Sequence, residues 1–184
     1  MEHFACAVTG HRPSRFLFRY EEEHPLCQKI QAKMKHIFEW LYEEKKVRRF
    51  WVGGALGVDM WAAEQILLLR NQPTYHDMEL MVALPFKGYD SKWEEKSRHR
   101  MNSILTKCNE TIILSNQAGR ESYLNRNRYM VDHADYVVAV YDDNKCIRSG
   151  TMQCVHYAKR KNIPLILIHP DTADIKYNPE FYLL

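Results

Sequence analysis

The chain has 184 residues, which fits one domain, and a hydrophobic fraction of 46%, which is ordinary for a packed core. Its 26 basic and 23 acidic residues leave a formal charge of +3, too small to indicate a nucleic-acid-binding or membrane-binding face. The five cysteines form no CxxC pair, which argues against both a disulfide framework and a zinc knuckle. No apolar run approaches the roughly 18 residues of a membrane span, and the N-terminus does not read as a secretory signal. We therefore expect a cytoplasmic protein with reduced thiols.

Short apolar runs typical of strands alternate along the chain with helical patterns. We predict strands over residues 4–9, 50–52, 79–84, 111–114, 136–141 and 164–168, and helices over 24–46, 58–70, 91–107, 121–133 and 150–161. Strands that alternate with helices pair in parallel, and the continuous apolar run over 136–140 indicates burial on both faces. The prediction is an α/β fold, an open and mainly parallel doubly wound sheet with helices on both faces, in one domain over residues 1–184.

Three of the seven glycines cluster between the second predicted strand and the helix over 58–70. They are Gly53, Gly54 and Gly57 in the sequence GGALG. Glycine permits positive φ and a close approach of backbone N–H groups to an anion, and the following helix N-terminus adds unpaired donors. We expect this turn to bind phosphate, with a merely tight strand-to-helix connection as the alternative. For Asp59 two roles are equally plausible: a carboxylate that the helix dipole stabilises in the first turn, and a ligand of a ribose.

Further polar and glycine residues follow other predicted strands, at the edge where doubly wound sheets bind ligands. The guanidinium of Arg12 suits a phosphate, although a solvated loop arginine is the alternative. Ser149, Gly150 and Thr151 open the predicted helix over 150–161, and they are either phosphate ligands or an ordinary N-cap. Together with the glycine turn, this second helix start on the same edge could hold one phosphorylated ligand. The candidates at this edge are Thr9, Gly10, His11, Arg12, Pro85, Phe86, Ser149, Gly150 and Thr151.

The helix over 121–133 carries an amide on its apolar side, because Asn127 falls in the middle of the arc of apolar residues. A buried amide without partners costs about 1–3 kcal/mol, so Asn127 is expected to bond to the ligand, or alternatively to backbone at a strand end. Arg126 and Arg128 flank this arc on opposite sides, and at most one of them reaches the same pocket. Arg128 is expected to pair with Asp132, four residues on.

The aromatic and metal-binding residue types give weaker signals. Most tryptophans lie in apolar patterns, where core packing is the default, but Trp93 is alternatively the wall of a base pocket. The histidines and cysteines have no metal-site spacing, so no metal is expected.

The chain carries, in order, VTGHRP at 8–13, GGALGVDMWAAE at 53–64, ALPF at 83–86, RNRYMVDHADYVVAVYD at 126–142 and SGT at 149–151. Together these motifs resemble a YpsA-type protein of the SLOG superfamily, which also contains the LOG phosphoribohydrolases and the DNA-processing protein DprA. The resemblance runs over nearly the whole chain. It implies a Rossmann-like fold, a pocket for a nucleotide or a nucleotide-derived ligand such as an NAD-derived or ADP-ribose-like molecule, a sensing or regulatory role, and a homodimer. No further cofactor is expected.

The same resemblance limits an enzymatic reading. In LOG enzymes the glutamate of a PGGxGTxxE motif acts in cleaving the N-glycosidic bond of a nucleoside monophosphate. Aligning the Gly-Thr pair puts Cys154 at that position, and acid–base catalysis needs a titratable group there. We therefore expect a binding protein, with a phosphoribohydrolase that uses another carboxylate as the alternative. Glu64 is a doubtful candidate because it lies well inside its helix. Single-stranded DNA binding, as in DprA, is a third reading that the near-balanced charge disfavours.

Overall fold

The computed structural model describes residues 3–142 and 149–178. Within these ranges the chain forms seven strands, five α-helices and two short 3-10 turns, at Pro13–Arg15 and Pro73–Tyr75. The strands are β1 (Phe4–Gly10), β2 (Val47–Val52), β3 (Glu79–Phe86), β4 (Glu110–Ser115), β5 (Tyr136–Val140), β6 (Leu165–Ile168) and β7 (Ile175–Asn178). The helices are α1 (Pro25–Lys45), α2 (Val58–Arg70), α3 (Glu95–Lys107), α4 (Arg120–Asp132) and α5 (Gly150–Arg160).

All the described strands belong to one sheet, in the order β4-β3-β2-β1-β5-β6-β7. Strands β1 to β6 pair in parallel, and β7 pairs antiparallel with β6. The chain builds outward from β1 to β4 and then returns to place β5 on the other side of β1, where Gly10 pairs with Val140. The strand order therefore reverses between β1 and β5, and the crevice at such a reversal is where sheets of this kind bind ligands.

Helices cover both faces of the sheet. Cys6 and Val8 of β1 pack in a core with helices α1, α2 and α3, whereas Ala5 and Ala7 pack with α4 and α5. Since both faces are buried, strand β5 is an unbroken apolar run, as its sequence pattern predicts. Within the part of the chain that the structure describes, no helix is both long and apolar enough to cross a bilayer.

The predicted α/β fold is confirmed, with two corrections. Helix α3 begins at Glu95 and not at residue 91, because the preceding residues form turns in which the Ser91 N–H donates to the Gly88 carbonyl at 3.1 Å and the Trp93 N–H to the Asp90 carbonyl at 2.9 Å. Strand β7, at the edge of the sheet, was not predicted. The assignment of residues 1–184 to a single domain stays a prediction.

Candidate functional site

A cavity of about 630 Å³ opens at the carboxyl edge of the sheet, beside the reversal between β1 and β5. Its walls come from the end of β1, the 3-10 turn that follows, the turn before α2, one side of α4 and the start of α5. The lining residues are Thr9, Gly10, His11, Arg12, Ser14, Arg15, Ala55, Asp59, Arg120, Tyr123, Arg126, Asn127, Ser149, Gly150, Thr151 and Gln153.

A smaller cavity of about 230 Å³ adjoins the larger one. The two share four wall residues, Arg12, Ala55, Tyr123 and Arg126, and the smaller cavity extends under the segment between β3 and α3. Within residues 3–142 and 149–178, it is lined by Arg12, Gly53, Ala55, Pro85, Tyr89, Lys92, Trp93, Tyr123 and Arg126.

The larger cavity carries an excess of positive charge. Among the described residues, its lining holds four arginines and one carboxylate, that of Asp59. Arg12 and Arg120 are exposed and form no ion pair with any residue in 3–142 or 149–178. Arg15, by contrast, donates to Asp142 at 2.6 Å and lies 3.6 Å from Asp171. Two cations are therefore available to a ligand without breaking an existing ion pair.

Arg126 is the arginine that the fold buries, at 7% exposure. Its Nε donates to the Asn127 side-chain oxygen at 2.8 Å, its Nη1 donates to the Gly53 carbonyl, and Nη1 lies 3.7 Å from the Asp59 carboxylate. Of the two arginines that flank the apolar arc of α4, Arg126 thus reaches the site. Arg128 faces away and pairs with Glu121 at 3.7 Å, so its predicted pairing with Asp132 is wrong.

Asp59 is 6% exposed and lies below the glycine turn. It accepts a hydrogen bond from the Ala55 N–H at 3.2 Å, so one of the donors that the turn offers to an anion already has the protein's own carboxylate as its partner. Burial raises the pKa of the Asp59 carboxyl, against the opposing effects of Arg126 and of the Ala55 and Gly53 backbone. Asp59 therefore has a structural role, because it accepts from the glycine turn and lies beside Arg126, and its side chain also lines the cavity.

Asn127 lies inside, as the helical periodicity of α4 predicts, with 8% exposure. Its side-chain nitrogen donates to the Gly150 carbonyl at 3.2 Å, and its oxygen accepts from Arg126. The amide thereby joins α4 to the first turn of α5 at the cavity wall. The contacts of Asn127 therefore match the alternative expectation, a hydrogen bond to backbone. The carbonyl comes from the start of helix α5, however, and not from a strand end.

Helix α5 begins at the cavity with an N-cap. The Ser149 hydroxyl accepts from the Met152 N–H at 3.1 Å, which is the ordinary capping bond, and Thr151 is 5% exposed. The backbone N–H groups of the first turn are the remaining donors of this helix start, and they add a positive dipole end to the arginine-rich wall.

His11 lies at the floor of the cavity, 4% exposed, with Nε2 at 3.2 Å from the Asp142 carboxylate. Burial lowers the pKa of His11, against the effect of Asp142. Burial tends to raise the pKa of Asp142, but the hydrogen bond and charge of Arg15 and the contact with His11 hold it below its ordinary value. The pair is thus a neutral imidazole beside a carboxylate at neutral pH.

Cys154 and Glu64 do not contribute to this chemistry. Cys154 lies on the core side of α5, and burial raises the pKa of its thiol to about 12, so the side chain is an inert thiol. Glu64 pairs with Arg100 and lines a separate cavity between α1, α2 and α3. Among the residues that the structure describes, no group of three or more histidine, cysteine or acidic side chains could hold a metal ion.

The structure brings most of the predicted site residues together. Gly53 and Pro85 line the smaller cavity, and Arg12 lines both cavities. Gly54, Gly57 and Phe86 line neither. Gly54 and Gly57 adopt φ of 67° and 85°, so they shape the turn, and Phe86 packs edge-on against Tyr123. The predicted residues that line the larger cavity are Thr9, Gly10, His11, Arg12, Asp59, Asn127, Ser149, Gly150 and Thr151.

Several wall residues were not among the predicted site residues. Arg126 was recognised only as one of two flanking arginines, because helical projection alone does not show which side packs inward. Arg120, at the first position of α4, could have been found from the rule that strand-to-helix loops face this edge. Tyr123 and Gln153 lie on α4 and α5, where helical projection does not distinguish a cavity wall from the core. The others come from turns whose path no periodicity predicts, and they are Ser14, Arg15, Ala55, Tyr89 and Lys92.

The family model for YpsA, described as the YspA SLOG family, matches residues 6–173 of this chain. The chain belongs to the YpsA family of SLOG proteins. It is 30% identical over 172 residues to the SPbeta prophage-derived protein YoqJ of Bacillus subtilis, which covers 84% of this chain and 98% of that protein. A UPF0398 protein of Staphylococcus epidermidis is 26% identical over 148 residues, covering 75% of this chain and 72% of the relative. The family resemblance seen in the motifs is confirmed.

Two solved structures of DNA processing protein A share the fold. The Helicobacter pylori protein, studied for its single-stranded DNA binding mode, has a TM-score of 0.56 at 20% identity, over 89% of this chain and 64% of that chain. The Streptococcus pneumoniae protein has a TM-score of 0.54 at 14% identity, over 90% and 50%. This YpsA-family chain thus spans between half and two thirds of the length of those proteins. What it shares with them is the Rossmann-like fold.

Proposed function

We propose that this YpsA-family protein binds a phosphorylated nucleotide or a nucleotide-derived ligand in the larger cavity. The observation that carries the proposal is the charge of that cavity, in which Arg12 and Arg120 have no ion pair among the described residues and lie at the strand-order reversal. A site with this excess of cations favours an anion, and guanidinium groups match the geometry of phosphate. A sensing or regulatory role, a cytoplasmic location and a homodimer belong to the same proposal.

Arg12, Arg120 and the first turn of α5 are the proposed phosphate ligands. Both arginines are exposed and unpaired within the described ranges, so they bind an anion without giving up an internal ion pair. The glycine turn has a smaller part than its sequence predicts, because the Ala55 N–H already donates to Asp59. A helix start remains an anion site when its N–H groups have no internal partner.

Calorimetric titration with ADP tests this assignment. A hydrogen bond to a charged group contributes about 1.5–3 kcal/mol, so Arg12→Ala and Arg120→Ala should each weaken ADP binding by about tenfold or more. Arg98→Ala is the matched control, because Arg98 is an exposed arginine on α3 that lines neither cavity. Equal affinity in all three variants, or no saturable binding to the wild type at millimolar ADP, would refute the proposal.

A second candidate function, hydrolysis of a nucleoside monophosphate, has one observation in its favour. The Asp59 carboxyl is buried at the cavity wall with a raised pKa, as a general acid near neutral pH requires. Incubation with AMP at high protein concentration should then release free adenine, and Asp59→Asn should abolish the release. If the wild type releases no base, this candidate is excluded while the binding proposal stands. The likeness to DNA processing protein A supports the fold assignment and does not support a proposal of DNA binding.

A further inference from the structure

The smaller cavity differs in chemistry from the larger one. Its walls hold three aromatic rings, those of Tyr89, Trp93 and Tyr123, beside the cations Arg12, Lys92 and Arg126, and of these three rings only Tyr123 also lines the larger cavity. Tyr89 and Trp93 pack edge to face, with ring centroids 5.3 Å apart, and both rest on the hydrophobic core. The rings are therefore held in place before any ligand arrives, and flat aromatic walls of this kind favour another flat ring.

The size of this cavity limits what it can hold. Complete small-molecule sites usually measure about 300–1,000 Å³, and 230 Å³ lies below that range. The space suits one ring system and not a whole nucleotide. Because four wall residues are common to both cavities, a ligand that fills the smaller one continues directly into the larger one.

A buried cation lies where the two cavities meet. Arg126 lines both and is 7% exposed. Its Nε and Nη1 have partners in Asn127 and Gly53, whereas its Nη2 makes no hydrogen bond within residues 3–142 and 149–178. Arg12, the other arginine common to both cavities, is also unpaired there. Two guanidinium groups at one junction form an anion site between the smaller cavity and the larger one.

We infer that the smaller cavity is the subsite for the aromatic base of the ligand. The base lies against Trp93 and Tyr123, and the phosphate nearest to it lies at the junction between Arg12 and Arg126. This assignment rests on the proposed function and adds an orientation to it. The ligand class is accordingly a nucleotide whose phosphate chain runs from the smaller cavity into the larger one.

A comparison of ADP with inorganic pyrophosphate tests the subsite, since the two probes share the diphosphate and only ADP carries a base. Base stacking on an aromatic side chain typically changes affinity by about fivefold to a hundredfold. We expect the wild type to bind ADP more tightly than pyrophosphate by this factor. Trp93→Ala should remove most of the difference and leave pyrophosphate affinity unchanged. Trp40→Ala, on α1 and against Tyr177 away from both cavities, is the matched control and should preserve the difference.

A fluorescence measurement keeps the test valid if Trp93→Ala folds poorly. ADP should quench tryptophan emission of the wild type more than pyrophosphate does, and Trp93→Phe should lose that extra quenching. ADP that binds no more tightly than pyrophosphate, or quenching that persists in Trp93→Phe, would overturn the subsite and leave the phosphate site standing. A wild type that binds neither probe would overturn the proposed function as well.

Discussion

Replacing Arg126 by methionine is the perturbation with the largest expected effect on the fold of the site. The change removes the guanidinium 3.7 Å from Asp59 and leaves the carboxylate only backbone donors, those of Ala55 and Gly53. Breaking a buried ion pair from one side costs about 3–5 kcal/mol, because an uncompensated charge stays buried. For a chain of this size, about 2–4 °C of melting temperature corresponds to each kcal/mol, so we expect a drop of about 6–20 °C.

Urea unfolding followed by far-ultraviolet circular dichroism measures the loss. Arg128→Met is the control on the same helix, since its side chain is 52% exposed and its pairing with Glu121 is a surface contact, which contributes about 0–1 kcal/mol. Adding Asp59→Asn to Arg126→Met removes the remaining buried charge and should restore most of the stability. The same free energy of unfolding for Arg126→Met and Arg128→Met would refute this account of the ion pair.

The pH dependence of the Arg126→Met defect gives a second, independent check. Burial raises the pKa of Asp59 in the folded state above its unfolded value, so the folded state holds more protons between these two pKa values. The Asp59 contribution to stability therefore improves as the pH falls through that window. Removing Arg126, which lowers this pKa, extends the window to higher pH. The difference between wild type and variant should shrink from pH 7 to pH 5, and a constant difference would contradict the reasoning.

Two further predictions concern the end of β1. A Cβ on Gly10 would lie 2.5 Å from three carbons of Val58, so Gly10→Ala should lower the free energy of unfolding in urea by about 1–3 kcal/mol. A Cβ on Gly119 would meet nothing within 4 Å, so the control Gly119→Ala should change this free energy by less than about 0.5 kcal/mol. Burial lowers the pKa of His11 from 6.5, so the unfolded state takes up the proton first and stability should fall as the pH drops from 7.5 to 5.5. His11→Gln should flatten this slope relative to the exposed control His99→Gln, and an unchanged slope would contradict the reasoning.

The parts of the fold that could be predicted are those that local sequence determines. Helix α2 starts at Val58 and ends at Arg70 as predicted, because a glycine turn precedes it and apolar periodicity covers its length. The start of α3 was predicted four residues too early because residues 91–94 contain no helix-breaking residue. In the structure these residues form hydrogen-bonded turns before the helix begins. Strand β7 has four residues and owes its conformation to pairing with β6, a contact that the local pattern does not contain.

The candidate site shows the same limit. Helical periodicity placed Asn127 inside, but its partner, the Gly150 carbonyl, comes from α5 and depends on how two helices pack. The glycine turn reads as an anion cradle in sequence, and only the fold shows that Asp59 takes the Ala55 N–H. Which of Arg126 and Arg128 turns inward was likewise decided by packing of α4 on the sheet. Residue types and strand ends were therefore predictable, and the pairing among them was not.

A crystal structure of the protein with ADP at a saturating concentration tests the central claim most directly. The account predicts the diphosphate within hydrogen-bonding distance of Arg12, Arg120 or Arg126 and the first turn of α5, with the adenine in the smaller cavity beside Trp93. Nucleotide density at another surface, or both cavities holding only water at a concentration that saturates binding in solution, would contradict it.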